Sequence, residues 1–217
     1  MSENLPNILA LDTSTRNTVI ALCVNGSMYS VQKEGKSHSQ HVLQLIDELL
    51  LSARISLNDL DCLATTRGPG SFTGLRIGIA VTQGLAFGLE LPVVELSSLS
   101  ALLHSALLSD KALSTTDYVL ATMDARMGEL YGCWYSLERS EIESMGCEFV
   151  CAPESLGKFT PTLIDASVKD CSVDGEVCTR VAMLGTGLNY AKQMAIGYAR
   201  VADTLGVVDA VSYTHLR

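Results

Sequence analysis

The sequence predicts an α/β fold in two lobes, with mixed sheets flanked by helices. Three observations carry that prediction. Strand and helix signals alternate through the N-terminal half, the pattern of a layered sheet-and-helix domain. An Asn25-Gly26 pair between two β-rich runs marks a tight hairpin. Finally, 47% of the 217 residues are hydrophobic and only 18% charged, which supplies a core and excludes disorder. A chain of this length buries roughly 70% of the surface its unfolded form exposes, so it needs no disulfide framework to fold.

Each element follows from its local chemistry. Ile8–Leu11 is a short apolar strand ending at the turn-forming cluster Asp12-Thr13-Ser14-Thr15, and Thr18–Val24 and Ser27–Gln32 form the hairpin. Ser37 can cap the next helix, with Gln40 three residues on. That helix carries Val42, Leu43, Leu45, Ile46, Leu49, Leu50 and Leu51, an arc wider than one sheet face requires. Either the helix is buried on two sides within its own domain, or the surplus face meets another subunit. Leu60–Thr66 reads as a buried strand. It leads through the glycine-rich stretch from Arg67 to Gly74 into a helix ending near Leu89. Gly74, Gly78 and Thr82 recur every fourth residue, as do Gly84 and Gly88 on another face. Interior helix glycines cost about 1 kcal/mol each relative to alanine, and close approach of another helix or strand can offset that. Pro92–Leu96 is a further strand and Ser98–Leu108 a helix.

The composition turns polar after Ser109, which places a boundary near residues 109–115. The lobes are then 1–108 and a smaller 109–210. Tyr118–Met123 and Glu129–Tyr135 are strands, residues 140–180 carry weak signals for short strands and loops, and Arg180–Leu184 is a buried strand before Gly185-Thr186-Gly187. Leu188 to about Gly197, and Ala199–Leu205, can be helical. Val211–Arg217 looks like a translated linker and is set aside as a non-native tail.

Charge narrows the function. Fifteen basic against 24 acidic residues give −9, so the chain has no broad electrostatic grip on a phosphate backbone. Seven cysteines without C-x-x-C spacing read as free thiols in a reducing compartment. The N-terminus lacks the pattern of a signal peptide, and the apolar stretch Ile77–Leu91 is broken by glycines, Gln83 and Glu90, which argues against a membrane span. These features read as cytoplasmic.

Candidate chemistry is sparse. The strand–glycine loop–helix context can receive an anion, but the loop has no lysine and no phosphate-loop consensus. A tight crossover explains the same glycines. His38 and His41 are two potential ligands without a visible third, and Ser71 is not in a G-x-S-x-G elbow. Asp12 and Asp124 each follow a strand, where open α/β sheets bind ligands; an Asx turn is the alternative. Arg126 and Glu129 can form a hairpin ion pair.

Four blocks together carry a resemblance. They are Ile8-Leu9-Ala10-Leu11-Asp12-Thr13-Ser14, His38-Ser39-Gln40-His41, Gly68 through Gly78, and Asp124 through Tyr131. This combination, spanning about residues 7–190, resembles the bacterial TsaB family, and the G-P-G-S-F-T-G-L-R-I-G block is specific to that group. The resemblance implies an actin-like, sugar-kinase-like (ribonuclease-H-like) fold of two related lobes. It implies the role of a non-catalytic partner subunit for the TsaD-like transferase that modifies adenosine 37 of tRNA, with a TsaE-like ATPase in the system. tRNA would be met only through the complex, and the chain would homodimerise when alone.

The same resemblance places the partner interface on the two helices at 38–53 and 73–89, at Val42, Leu45, Ile46, Leu49, Gly74, Gly78 and Ile79. It aligns Asp12, Thr13, Asp124, Gly185 and Gly187 with the nucleotide loops of the fold, here as a degenerate site. No cofactor of its own is expected, with ATP or ADP at most shared by the complex. The catalytic paralogue holds a metal with H-x-x-x-H after the strand matching Pro92–Leu96. Here Ser97-Ser98-Leu99-Ser100-Ala101-Leu102 stands instead, so no metal and no catalytic residue is expected. Family members usually run longer and end in a Pro-containing segment. A stand-alone nucleotide hydrolase or metallopeptidase-like enzyme is the competing reading.

Overall fold

The computed structural model describes residues 5–35, 38–109, 113, 116–137, 141–161, 181–190 and 193–194. It divides into two compact units, Met1–Ser98 and Leu99–Arg217.

The first unit runs β1 (Ile8–Asp12), β2 (Asn17–Val24), β3 (Ser27–Glu34), α1 (His38–Ala53), β4 (Cys62–Gly68), α2 (Phe72–Leu89) and β5 (Val93–Ser97). The sheet order is β3-β2-β1-β4-β5. The β1–β2 and β2–β3 pairs are antiparallel, while β4 runs parallel to both β1 and β5. Asn25 and Gly26 turn the β2–β3 hairpin with φ of 48° and 81°, the left-handed geometry this two-residue turn demands. Residues of β2 alternate between partly and fully buried along its whole length, so one face of the strand lines the core. There Leu9, Leu11, Ile20, Leu22 and Leu63 of the sheet meet Val42, Leu45, Ile46, Leu49 and Leu50 of α1. Burying such a side chain contributes about 1.5–3 kcal/mol.

Strand β4 starts later than the apolar run that begins at Leu60. The backbone N–H of Leu60 instead closes a 3-10 turn by donating to the Leu57 carbonyl at 3.3 Å. In that turn the Ser56 hydroxyl and backbone N–H hold the Asp59 carboxyl below its usual range. Helix α2 starts at Ser71, whose Oγ accepts from the Gly74 N–H at 3.3 Å, and ends with Glu90 in the left-handed region. Replacing the cap with Ser71→Ala is expected to lower stability by about 1 kcal/mol in urea unfolding. By length and composition α2 could cross a membrane. In this unit its Gly74, Gly78 and Thr82 row is instead buried.

The second unit holds α3 (Ser98–Ser109), β6 (Tyr118–Arg126), β7 (Glu129–Ser136), β8 (Glu143–Ser144), β9 (Phe149–Cys151) and β10 (Val181–Gly185). Its sheet order is β10-β6-β7-β8, with β9 also paired to β7. Leu99, Leu103 and Ala106 of α3 pack with Val119, Ala121, Cys133, Tyr135 and Leu184 of this sheet. Tyr118, Leu120, Trp134 and Leu156 belong to a separate cluster. The packing boundary therefore lies at Ser98/Leu99, upstream of the 109–115 position marked by the change in composition. Polarity after Ser109 marks a loop, whereas the apolar row of α3 determines which sheet it joins.

The two sheets repeat one plan. A hairpin (β1–β2, β6–β7) carries a parallel strand (β4, β10) on the far side of its first strand. Of the helix expected from Leu188, residues 186–190 form a 3-10 turn, while 199–205 and the tail 211–217 lie outside the described residues. The weak 140–180 signals resolve into β8, β9 and a 3-10 helix at Pro153–Phe159; residues 162–180 lie outside the described residues. Cys23, Cys62, Cys133, Cys147 and Cys151 are free thiols, and burial pushes the Cys133 and Cys151 thiols up.

Candidate functional site

At the end of β1 the chain builds a closed knot of hydrogen bonds. The Ser14 N–H and the Thr66 hydroxyl both donate to Asp12 Oδ1, each at 2.8 Å. The Thr13 hydroxyl donates to the Gly74 carbonyl at 2.7 Å, and the Ser71 N–H to the Ser14 carbonyl at 2.6 Å. A Cβ at Gly70 would lie 2.5 Å from the Ser14 carbonyl oxygen; one at Gly74 would fall on the Thr13 carbonyl, and one at Gly78 on the Thr13 hydroxyl. Here the glycine loop is a tight crossover onto the β1–β2 turn. Asp12 serves that turn as an Asx residue. Asp12→Ala is expected to destabilise the chain by about 2–3 kcal/mol, as measured by urea unfolding, because two donors lose an ionised acceptor.

The second unit repeats the arrangement. Asp124 Oδ1 accepts from the Arg126 N–H at 2.7 Å and the Tyr190 hydroxyl at 3.1 Å, and the Asp124 N–H donates to Thr186 Oγ1 at 3.0 Å. Partial burial, and then the neighbouring Asp124 carboxylate, push the Tyr190 phenol up. A Cβ at Gly185 would fall on the Thr122 carbonyl, and one at Gly187 would lie 2.6 Å from Thr122 Cβ and Oγ1. Both glycines thus serve close packing against β6. Arg126 and Glu129 face each other as the closing pair of the β6–β7 hairpin. The roles of Thr66, Thr186 and Tyr190 escape sequence reading, since their partners lie 54 to 66 positions away. Matching the two halves strand for strand would have pointed to the first two.

Among the described residues, no three of His, Cys, Asp and Glu gather to hold an ion. His41 Nδ1 lies 3.3 Å from Lys33 Nζ, and His104 Nδ1 lies 2.8 Å from the Ser100 carbonyl. The Ser97–Leu102 segment, which spans the end of β5 and the start of α3, offers hydroxyls and methyls. The side chain of His38 and all of His215 fall outside the described residues.

The helices depart from the expected interface. Val42, Leu45, Ile46 and Leu49 are buried in the core of their own unit, so they are not available to a partner. Gly74 and Gly78 seat α2 on Thr13. Ile79 is half-buried beside a cleft lined by Thr82, Gln83 and Val93. The apolar side chains left in solvent include Leu43 (57% exposed) and Leu51 on α1, Phe72 and Phe87 (88%) on α2, and Val93, Val94 and Leu96 on β5. Gly84 and Gly88 are also exposed, and added Cβ atoms there would meet nothing within 4 Å. A helical-wheel split of the arc, with 42/45/46/49 on one row and 43/47/51 on another, separates core from surface.

The family model described as TsaD, tRNA N6-adenosine threonylcarbamoyltransferase, matches residues 30–205. The tRNA threonylcarbamoyladenosine biosynthesis protein TsaB of Haemophilus influenzae is 39% identical over 163 residues, and that of Escherichia coli 41% over 135. YeaZ from Pseudomonas aeruginosa superposes with a TM-score of 0.72 at 34% identity, covering 88% of this chain and 80% of that one. The chain belongs to the TsaB family. Its matched part covers 70% and 62% of this chain, and spans 66% and 56% of the Haemophilus and Escherichia relatives. The TsaB-family match and the superposition show the fold class expected from sequence, two mixed sheets flanked by helices.

Proposed function

We propose that this TsaB-family chain is the non-catalytic partner subunit of a TsaD-like transferase, serving threonylcarbamoyl modification of tRNA adenosine 37. One observation carries the reading. The outward side of α1 and α2 combines exposed Leu43, Leu51 and Phe87 with Gly84 and Gly88, two helix glycines at which an added Cβ would meet no described atom beyond the local helix backbone within 4 Å. Each glycine costs about 1 kcal/mol within the helix, and a partner helix lying close against them recovers that cost. The loops in nucleotide position support the same reading. Asp12 and Asp124 accept internal donors, and Gly185 and Gly187 serve packing. Nucleotide therefore belongs to the complex rather than to this chain, a TsaE-like ATPase acts alongside, and the same helix face pairs two copies when the partner is absent. The −9 balance leaves tRNA to be gripped through the complex, in the cytoplasm. No specific feature favours the stand-alone enzyme.

The test is co-purification with the TsaD-like protein of the same organism, followed by a tRNA modification assay with this chain omitted. Stable co-elution and loss of modification on omission are expected. Full modification without the chain, or ATP turnover by the chain alone that Asp12→Ala abolishes, would overturn the reading.

A further inference from the structure

We propose that the cleft between α2 and strands β4 and β5 of the first unit binds a small free α-amino acid. The cleft has a volume of about 230 Å³ and is lined by Thr65, Arg67, Ile79, Thr82, Gln83, Val93 and Glu95. That is below the 300–1,000 Å³ typical of sites for drug-sized molecules, so the occupant is small.

Two of the lining side chains point to a ligand. Thr65 is 5% exposed and Thr82 fully buried, and neither hydroxyl has a hydrogen-bond partner among the described residues. Buried hydroxyls in folded chains are almost always paired, and an orphan destabilises the fold that contains it. Two orphans on one cleft are best accounted for by a molecule that supplies hydrogen bonds to both.

The charges around them define its class. Thr65 stands opposite Glu95 in the β4–β5 register, which shifts between Thr66 and Gly68, and Arg67 and Val93 line the same cleft. A guanidinium pairs with a carboxylate through parallel hydrogen bonds, and the Glu95 carboxylate accepts from an ammonium. Opposite charges from neighbouring strands on the lining of one small cleft suit a zwitterion, whose charged groups share one carbon. Ile79 and Val93 supply the apolar wall for a short side chain. A phosphate ester would meet Glu95 with like charge, which disfavours nucleotides.

Thermal shift and isothermal titration on the full chain test this, with free glycine, alanine, serine and threonine set against their N-acetyl and C-amide forms. Saturable stabilisation by at least one free amino acid is expected. Either cap, Glu95→Gln and Arg67→Gln should each weaken it on the order of tenfold, since each removes one charged contact. Thr82→Val separates a ligand role from a structural one: it should raise the melting temperature of the unliganded chain by removing an orphan hydroxyl, while weakening the amino acid. The proposal fails if no free amino acid saturates, if capped forms bind equally well, if ADP or inorganic phosphate competes for the cleft, or if Thr82→Val lowers the unliganded melting temperature.

Discussion

Gly74→Ala is expected to cost the first unit at least about 3 kcal/mol and to abolish soluble expression, despite adding the best helix former. Two effects compete. Alanine should gain about 1 kcal/mol in helix propensity over glycine. Against that, the new methyl falls on the Thr13 carbonyl oxygen, a backbone atom held by the sheet and by the Thr13 hydroxyl bond to the Gly74 carbonyl. Overpacking against immobile backbone lies at the severe end of the 1–3 kcal/mol range and beyond, so sterics wins. Gly84→Ala and Gly88→Ala provide the control, because among the described residues nothing beyond the local helix backbone lies within 4 Å of either added methyl. Each should raise stability by about 0.5–1 kcal/mol, and each should weaken the complex if a partner helix lies against them. Urea unfolding of the three variants measures the contrast. A Gly74→Ala chain as stable as the parent would mean that α2 does not rest on Thr13.

Aspartate substitutions along α1 and α2 should divide cleanly into two classes. Leu45→Asp places a carboxylate in the core among Leu9, Ile20 and Leu63, and the chain should unfold, with a loss above about 4 kcal/mol. Leu43→Asp and Phe87→Asp change side chains that are 57% and 88% exposed, so stability should shift by no more than about 0.5 kcal/mol. Assembly should behave in the opposite way. Each surface change should weaken binding to the proposed TsaD-like partner by on the order of a hundredfold, as the loss of a buried apolar anchor does. Light scattering on size-exclusion fractions reads assembly, and circular dichroism reads the fold. Folded Leu43→Asp and Phe87→Asp chains that still bind with parental affinity would remove this face from the interface.

Much of the fold is legible because its signals are local. The Asn25-Gly26 turn, the cap at Ser71, the alternation along β2 and the apolar arc of α1 each depend on neighbours within a few residues. Side-chain period and turn chemistry therefore recover seven elements of the first unit in order. The unit boundary is not local. Composition changes at Ser109, but Leu99, Leu103 and Ala106 pack beyond that point in the chain, and a helix row does not announce which sheet it covers.

By itself, the sequence determined the family, the α/β class and the lack of imidazoles between Ser97 and Leu102, since these reside in residue identity and short spacing. Tertiary structure alone decided which apolar residues of α1 are core and which remain for a partner, because a helix wheel gives faces but not what covers them. It also decided that Asp12 and Asp124 serve their own turns and that Gly185 and Gly187 serve packing against β6. Their hydrogen bonds and steric contacts reach residues up to 66 positions away, a separation at which chain connectivity no longer constrains who meets whom.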